Sequence, residues 1–164
     1  MNMKVKSKLI LKNAAAEIYL EWYPEAEIKK AFRKGSRAQR DWDEFLIDEF
    51  EPYVPIETKM LMHSVTIATA IGSGEIIYHT PYSKYLYYGK VMVDPKTKVA
   101  GFETDDGWKS RKGVAKILTN RELEYSKAVN KNAGPFWDMN AEVDRIEKWK
   151  KFLAGIIVQE FGGE

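Results

Sequence analysis

The sequence predicts an α+β fold: a small antiparallel sheet packed against two or three helices, with a long C-terminal helix and an extended polar arm. Three observations predict it. Alternating or β-rich runs fill residues 4–12, 61–70 and 75–80, an amphipathic stripe of helical spacing fills 36–50, and a longer one runs from Phe136 to Ile157. One continuous spread of apolar residues over 164 positions suits a single domain with its own core, so 1–164 is read as one unit.

In residues 4–12, Val5, Ser7, Leu9 and Leu11 alternate with Lys4, Lys6, Lys8 and Ile10, which is strand periodicity with lysines outward. Such lysines also discourage edge pairing. Residues 13–22 admit either a short helix capped by Asn13 and ended before Pro24, or a strand. Ser36 caps a helix in which Trp42, Phe45, Leu46, Glu49 and Phe50 recur at three- and four-residue spacing, and Pro52 stops it. Helical spacing alone predicts burial, so this stripe is read as core and not as a cofactor box. Pro52 and Pro55 make residues 52–58 a rigid elbow, because proline fixes φ and removes a donor.

After the elbow, residues 61–70 and 75–80 flank Gly72-Ser73-Gly74 and read as a hairpin. Residues 81–89 fit a short helix with Pro81 in its first turn and Gly89 as its stop, placing Tyr82, Tyr85 and Tyr88 on one side. Residues 90–134 are long, polar and punctuated by Asp94-Pro95, Asp105-Asp106-Gly107 and Asn132-Ala133-Gly134. With no sustained apolar period they read as an elaborated loop or arm. The last segment sets Phe136, Met139, Val143, Ile146, Trp149, Phe152, Leu153, Ile156 and Ile157 in one helical stripe, closed by Gly162-Gly163.

Composition narrows the chemistry. The chain has no cysteine, which excludes disulfides, a catalytic thiolate and thiolate metal sites, and it has two histidines. No run approaches the roughly 18 apolar residues of a membrane span. The opening Met1-Asn2-Met3-Lys4-Val5-Lys6 lacks the apolar core of a signal peptide, so the expectation is a protein made and kept in a cytoplasm, with no membrane partner. With 26 basic and 24 acidic side chains, the net charge of +2 is too balanced for a general nucleic-acid or membrane-surface role. Aromatics make up 13%, including five Trp and nine Tyr, the residues that serve both cores and protein interfaces.

No catalytic set assembles. His63 and Ser64 are adjacent, and neighbours on the expected strand face opposite ways. His63 and His79 face each other across the expected hairpin, but no His-x-x-x-His spacing supports a metal site there. Asp105-Asp106-Gly107 lacks the alternating acids and closing Glu of a calcium loop and reads as a solvated turn. A carboxylate hydrolase would need paired acids in a cleft, with Glu75 and Asp106 as the residues to change. The expectation is no enzyme, no cofactor and no metal. Lys109-Ser110-Arg111-Lys112, with Lys96, Lys98 and Lys116 nearby and Trp108 beside it, reads first as a solvated basic face.

Three segments, in order, resemble the minor capsid and head-to-tail joining (tail-completion, neck) proteins of tailed bacteriophages. Tyr53-Val-Pro-Ile-Glu-Thr-Lys-Met-Leu-Met-His-Ser-Val65 is similar to that family's Val-Pro-Val-Asp-Thr-Gly-x-Leu-x-x-Ser-Ile, with Pro55, Glu57, Thr58, Leu61 and Ser64 on matching positions. Ile77-Tyr-His-Thr-Pro-Tyr-Ser-Lys-Tyr-Leu-Tyr-Tyr-Gly89 is similar to Pro-Tyr-Ala-x-Tyr-x-Glu-x-Gly, through Pro81, Tyr82 and Gly89. Ala133-Gly-Pro-Phe-Trp137 resembles the family's entry into the final helix, through Pro135, Phe136 and Trp137. Two departures, Lys59 for the usual Gly and Tyr87 or Tyr88 for a frequent acid, bear on the subfamily.

The resemblance implies a structural virion protein, assembled in the bacterial host cytoplasm into a ring, hexameric in the family, at the head–tail junction. Its partners would be further copies of itself, the capsid connector or adaptor, and the tail tube, with DNA passing through the lumen. Minor capsid, tail-completion and tail-terminator roles all stay open. Residues expected at interfaces are Tyr82, Tyr85, Tyr88, Trp108, Lys109, Arg111 and Lys112, and the arm would multiply its basic charge around a lumen. The other reading left open is a small nucleic-acid-binding module with a basic arm.

Overall fold

A computed structural model of the chain describes residues 3–5, 24–56 and 59–162. Pro24 opens helix α1 (Glu25–Ala31), which has Glu25 and Glu27 in its first turn and Lys29 and Lys30 in its last, the signs that complement a helix dipole. Helix α2 (Arg37–Phe50) begins as its sequence predicts: the Ser36 hydroxyl accepts the Gln39 amide hydrogen at 3.1 Å. Trp42, Leu46 and Phe50 recur on its inner face and are fully buried, with Phe45 half-buried beside them. At Pro52 the helix tightens into a 3-10 turn, Glu51–Tyr53, and the elbow follows. Glu57 and Thr58 lie outside the described residues, as do residues 6–12 of the expected first strand and residues 13–22, for which helix and strand both stay open.

The expected hairpin does not form. Met60–Ala68 is helix α3, and only Ile76–Tyr78, strand β2, is extended. Val65, Thr66 and Ile67 favour strands because they are stiff at χ1. Even so, Leu61, Ser64 and Val65 sit three and four apart, and in a helix all three turn inward and are buried. The Ser64 hydroxyl donates to the Leu61 carbonyl at 2.7 Å and accepts the His79 amide hydrogen at 3.1 Å, joining α3 to β2. The strand partner of β2 is β1 (Met3–Val5), antiparallel, with Met3 opposite Tyr78 and Val5 opposite Ile76.

Helix α4 (Ser83–Tyr88) starts two residues after Pro81 and ends on Gly89 at φ +67. The space there is tight. A Cβ on Gly89 would lie 2.9 Å from the Pro135 Cβ.

Residues 90–134 hold more order than an irregular arm. Strand β3 (Lys90–Val93) pairs antiparallel with β6 (Ile117–Glu122) across an irregular register, and between them β4 (Phe102–Thr104) and β5 (Gly107–Lys109) form a tight hairpin. Asp105-Asp106 is its turn, as expected, with Gly107 at φ +102. Phe102, Glu103, Gly107 and Lys109 in β4–β5 and nearly all of β6 are exposed, while Met92 and Val93 of β3 are buried. Among the described residues the single sheet expected from sequence is replaced by three two-stranded antiparallel ribbons.

Helix α5 (Trp137–Phe161) is the long C-terminal helix. Its buried residues are Trp137, Ala141, Trp149, Leu153, Ile156 and Ile157. It lies along α2, where Phe45 and Phe152 stack with ring centroids 3.8 Å apart and Phe50 meets Trp149 at 5.9 Å. The core is therefore a helix pair closed by β2 and the elbow: Trp42, Leu46, Phe50, Val54, Tyr78, Trp137 and Trp149 are all buried. The fold is α+β, with the long C-terminal helix the sequence predicts.

Asp43 fixes the turn before β2. Its fully buried carboxylate accepts the Gly72 and Gly74 amide hydrogens at 2.9 and 3.1 Å, and the Gln39 side-chain amide donates to its other oxygen at 2.8 Å.

Candidate assembly surfaces

The predicted tyrosine face divides in two. Tyr82 and Tyr85 are half-buried and line a groove of about 540 Å³ with Pro55, Leu61, Leu86 and Tyr125. The Tyr82 hydroxyl lies 3.6 Å from the Met60 sulfur, and the Lys116 ammonium sits 5.8 Å from the Tyr85 ring centroid. The Tyr125 hydroxyl donates to the Leu86 carbonyl at 2.6 Å, and burial pushes its pKa up to about 12. Tyr88 goes elsewhere: it is 40% exposed and meets Phe136 edge-on at 6.0 Å. Residues at i, i+3 and i+6 span a third of a helix turn, and α4 is short enough for that span to separate them.

On the arm, Trp108 lies in β5 opposite Glu103. Lys109 pairs with Asp106 at 2.8 Å, and Arg111 with Asp94 at 3.2 Å. Asp94 is buried and accepts the Lys96 and Thr97 amide hydrogens at 2.7 and 3.1 Å. Those backbone bonds, with Arg111, hold its carboxyl below the usual aspartate range. Lys96, Lys98 and Lys112 are exposed. Interleaved with this charge are exposed apolar side chains: Val99, Phe102, Ile117 and Leu118 are each between 43% and 49% exposed.

A third surface comes from residues the sequence assigned to the core. On α5, Phe136, Met139 and Val143 are 37%, 56% and 78% exposed, on the side of the helix away from Trp137, Ala141 and Trp149. The stripe predicted from Phe136 to Ile157 thus holds in its second half, and its first half faces solvent. The reason is phase. A 3.5-residue repeat drifts about 20° per heptad on a 3.6-residue helix, so Trp137 and Ala141, not Phe136 and Met139, meet the core. Phe136 is further set apart by its left-handed backbone, φ +49, held by a hydrogen bond from its amide to the Tyr87 carbonyl at 2.9 Å. The exposed stripe adjoins Tyr88 and is bordered by Glu142 and Glu147.

The remaining motif residues are structural. Pro55 and Leu61 are buried at the groove, Ser64 joins α3 to β2, Gly89 and Pro135 touch, Trp137 is fully buried against Tyr78 and Tyr87, and Pro81 is exposed. His63 and His79 are both exposed and lie on a helix and beyond a strand end, not across a hairpin. Among the described residues no three His, Asp or Glu side chains are grouped to hold a metal ion, and no helix is long and apolar enough to cross a membrane. Comparison of the chain with protein-family models, with curated proteins and with solved structures returns no match.

Proposed function

We propose that this chain is a structural assembly protein of a tailed phage or phage-like element, forming a ring at the head–tail junction that joins or completes the tail on the capsid connector. The observation that carries this reading is the pairing of a well-filled core with large apolar side chains left in solvent on two separate elements: the arm ribbon and the outer face of α5. Isolated exposed apolar residues need no explanation, but groups of them on a rigid helix and on the arm mark contact surfaces. Two different contact surfaces on one chain suit head-to-tail association, which closes into a ring when the rotation closes. The motif resemblance supplies the phage context.

The exposed Lys96, Lys98 and Lys112 favour a second reading, a nucleic-acid-binding module or a DNA-lined lumen. It is weakened by Lys109 and Arg111, which already neutralise Asp106 and Asp94. Light scattering on the purified protein, alone and with connector or tail components, tests the choice. A discrete ring-sized mass, or a monomer that assembles only on those components, is expected. A monomer that ignores them and binds DNA with steep salt dependence would leave the nucleic-acid module in its place.

A further inference from the structure

One row of α5 is exposed along nearly the whole helix. Met139, Val143, Glu147, Lys151, Gly155 and Gln159 follow one another at four-residue spacing, and each is exposed. A row with that spacing is a ridge inclined to the helix axis, and it packs beside the matching ridge of a second helix at a crossing of about −50°. Its character changes along its length. Met139 and Val143 are apolar and 56% and 78% exposed, Glu147 is acidic, Lys151 is basic, and Gly155 is a notch beside Val158, which is 58% exposed.

Glycine inside a helix loses conformational entropy that alanine would keep. At Gly155 its own chain does not require it, since a Cβ there would meet no atom within 4 Å. We infer that α5 packs antiparallel on α5 of a second copy, about a two-fold axis at the level of Trp149, midway between Glu147 and Lys151. Val143 of each copy then seats in the Gly155 notch of the other, and Met139 approaches Val158. Two equivalent apolar contacts flank a charged centre in which each Glu147 faces a Lys151.

Charge sets the register. An axis through Glu147 or through Lys151 places like on like, as does a parallel pair, whereas an axis between them places each charge on its opposite. Both are open to a partner. Glu147 meets Lys150 through one carboxylate oxygen and its side chain stays 79% exposed, and Lys151 makes no ion pair among the described residues. The other charges of α5 are turned elsewhere: Arg145 and Lys148 hold Glu49, Asp144 accepts the Tyr53 hydroxyl, and Asp138 and Glu142 are half-buried. The contact closes on two copies and is derived from α5 alone, so it does not rest on the ring reading. Because it covers the stripe, it is the form of the free chain, and it parts where a ring neighbour takes the stripe.

A charge swap tests it. Sedimentation velocity over a concentration series is run on the full-length wild type, E147K, K151E and the double variant E147K with K151E, with circular dichroism to confirm that each is folded. Wild type is expected to show a reversible monomer–dimer equilibrium, and each single reversal to weaken it on the order of tenfold or more. The double variant is expected to recover it, because the swap restores opposite charges at both contacts. The chain has no cysteine, so V143C with G155C reads the register directly. Under mild oxidation that variant is expected to form a covalent dimer and V143C alone to form none.

A wild type that stays monomeric at every concentration would overturn the pairing. So would single reversals that leave association unchanged, a swap that recovers nothing, or V143C that links as readily alone as with G155C. A wild type that dimerises as expected yet never assembles on connector or tail components supports the pairing and fails the ring reading alone.

Discussion

Glu49 accepts the indole hydrogen of Trp149 at 3.0 Å, tying the end of α2 to the middle of α5 across 100 residues of sequence. The same buried carboxylate pairs with Arg145 at 3.2 Å and with Lys148. Burial alone would raise its pKa; the hydrogen bonds from Lys148, Trp149 and Arg145 outweigh that and hold it below the usual glutamate value.

Glu49→Ala strands the buried Trp149 N–H. It is expected to cost about 2–3 kcal/mol, less than a fully buried pair because Lys148 and Arg145 reach solvent. A group whose folded-state pKa is depressed stabilises the fold above its unfolded value and loses that contribution as pH falls through the folded one. Urea titrations of wild type and Glu49→Gln should therefore differ at pH 7 and converge below about pH 4.5, the ordinary glutamate value.

Asp138 has the opposite sign. Burial raises its pKa despite a hydrogen bond with Tyr87, and one carboxylate oxygen has no partner. A raised folded-state pKa gives stability that is present below the unfolded value, 3.8, and is lost as pH rises through the folded value. Asp138→Asn is expected to raise the Tm at pH 7, with the gain vanishing below pH 3.8 in thermal melts across that range.

The turn before β2 depends on Asp43 and Gly72 together. Asp43→Ala leaves two buried amides without an acceptor and should cost about 2–3 kcal/mol. Gly72→Ala forces a Cβ at φ +90 to within 2.8 Å of the Arg40 side chain and should cost about 1–2 kcal/mol. Because both act on one turn, the double variant should cost less than the two single costs combined, as read by chemical denaturation.

The two halves of α5 should respond differently to truncation. Leu153→Ala removes fully buried atoms and is expected to cost about 2–5 kcal/mol, whereas Val143→Ala, 78% exposed, should change stability by no more than about 0.5 kcal/mol. Equal losses in thermal melts would place Val143 in the core and remove the outer stripe.

Local signals were legible where one residue decides the outcome. Ser36 caps, Pro52 stops a helix, Gly89 ends one, and each does so for the reason its side chain or its lack of one supplies. Signals that needed a choice between two periods were not. Residues 61–70 carry strand-favouring side chains on a helical spacing, and tertiary burial of Leu61, Ser64 and Val65 decides for the helix. Likewise the residues from Phe136 to Val143 form a stripe whichever way the helix is turned, and only the fixed position of Trp137 shows which side is inside. The basic arm residues are legible in the sequence; the exposed apolar stripe on α5 is hidden by its resemblance to a core face.

The arm leaves the body at Gly89 and is fastened again where it returns: the Leu123 amide donates to the Gly89 carbonyl at 3.0 Å, and Pro135 packs on Gly89 itself. Asn130 then straps the returning chain to the carbonyls of Glu51 and Val54 at 2.6 and 2.8 Å. A loop closed at its base has an entropy that grows only with the logarithm of its length. Sequence in the β4–β5 hairpin can therefore be lengthened, shortened or exchanged at little cost to the body, so this chain can change what it meets at the far end of the arm while keeping one unaltered scaffold.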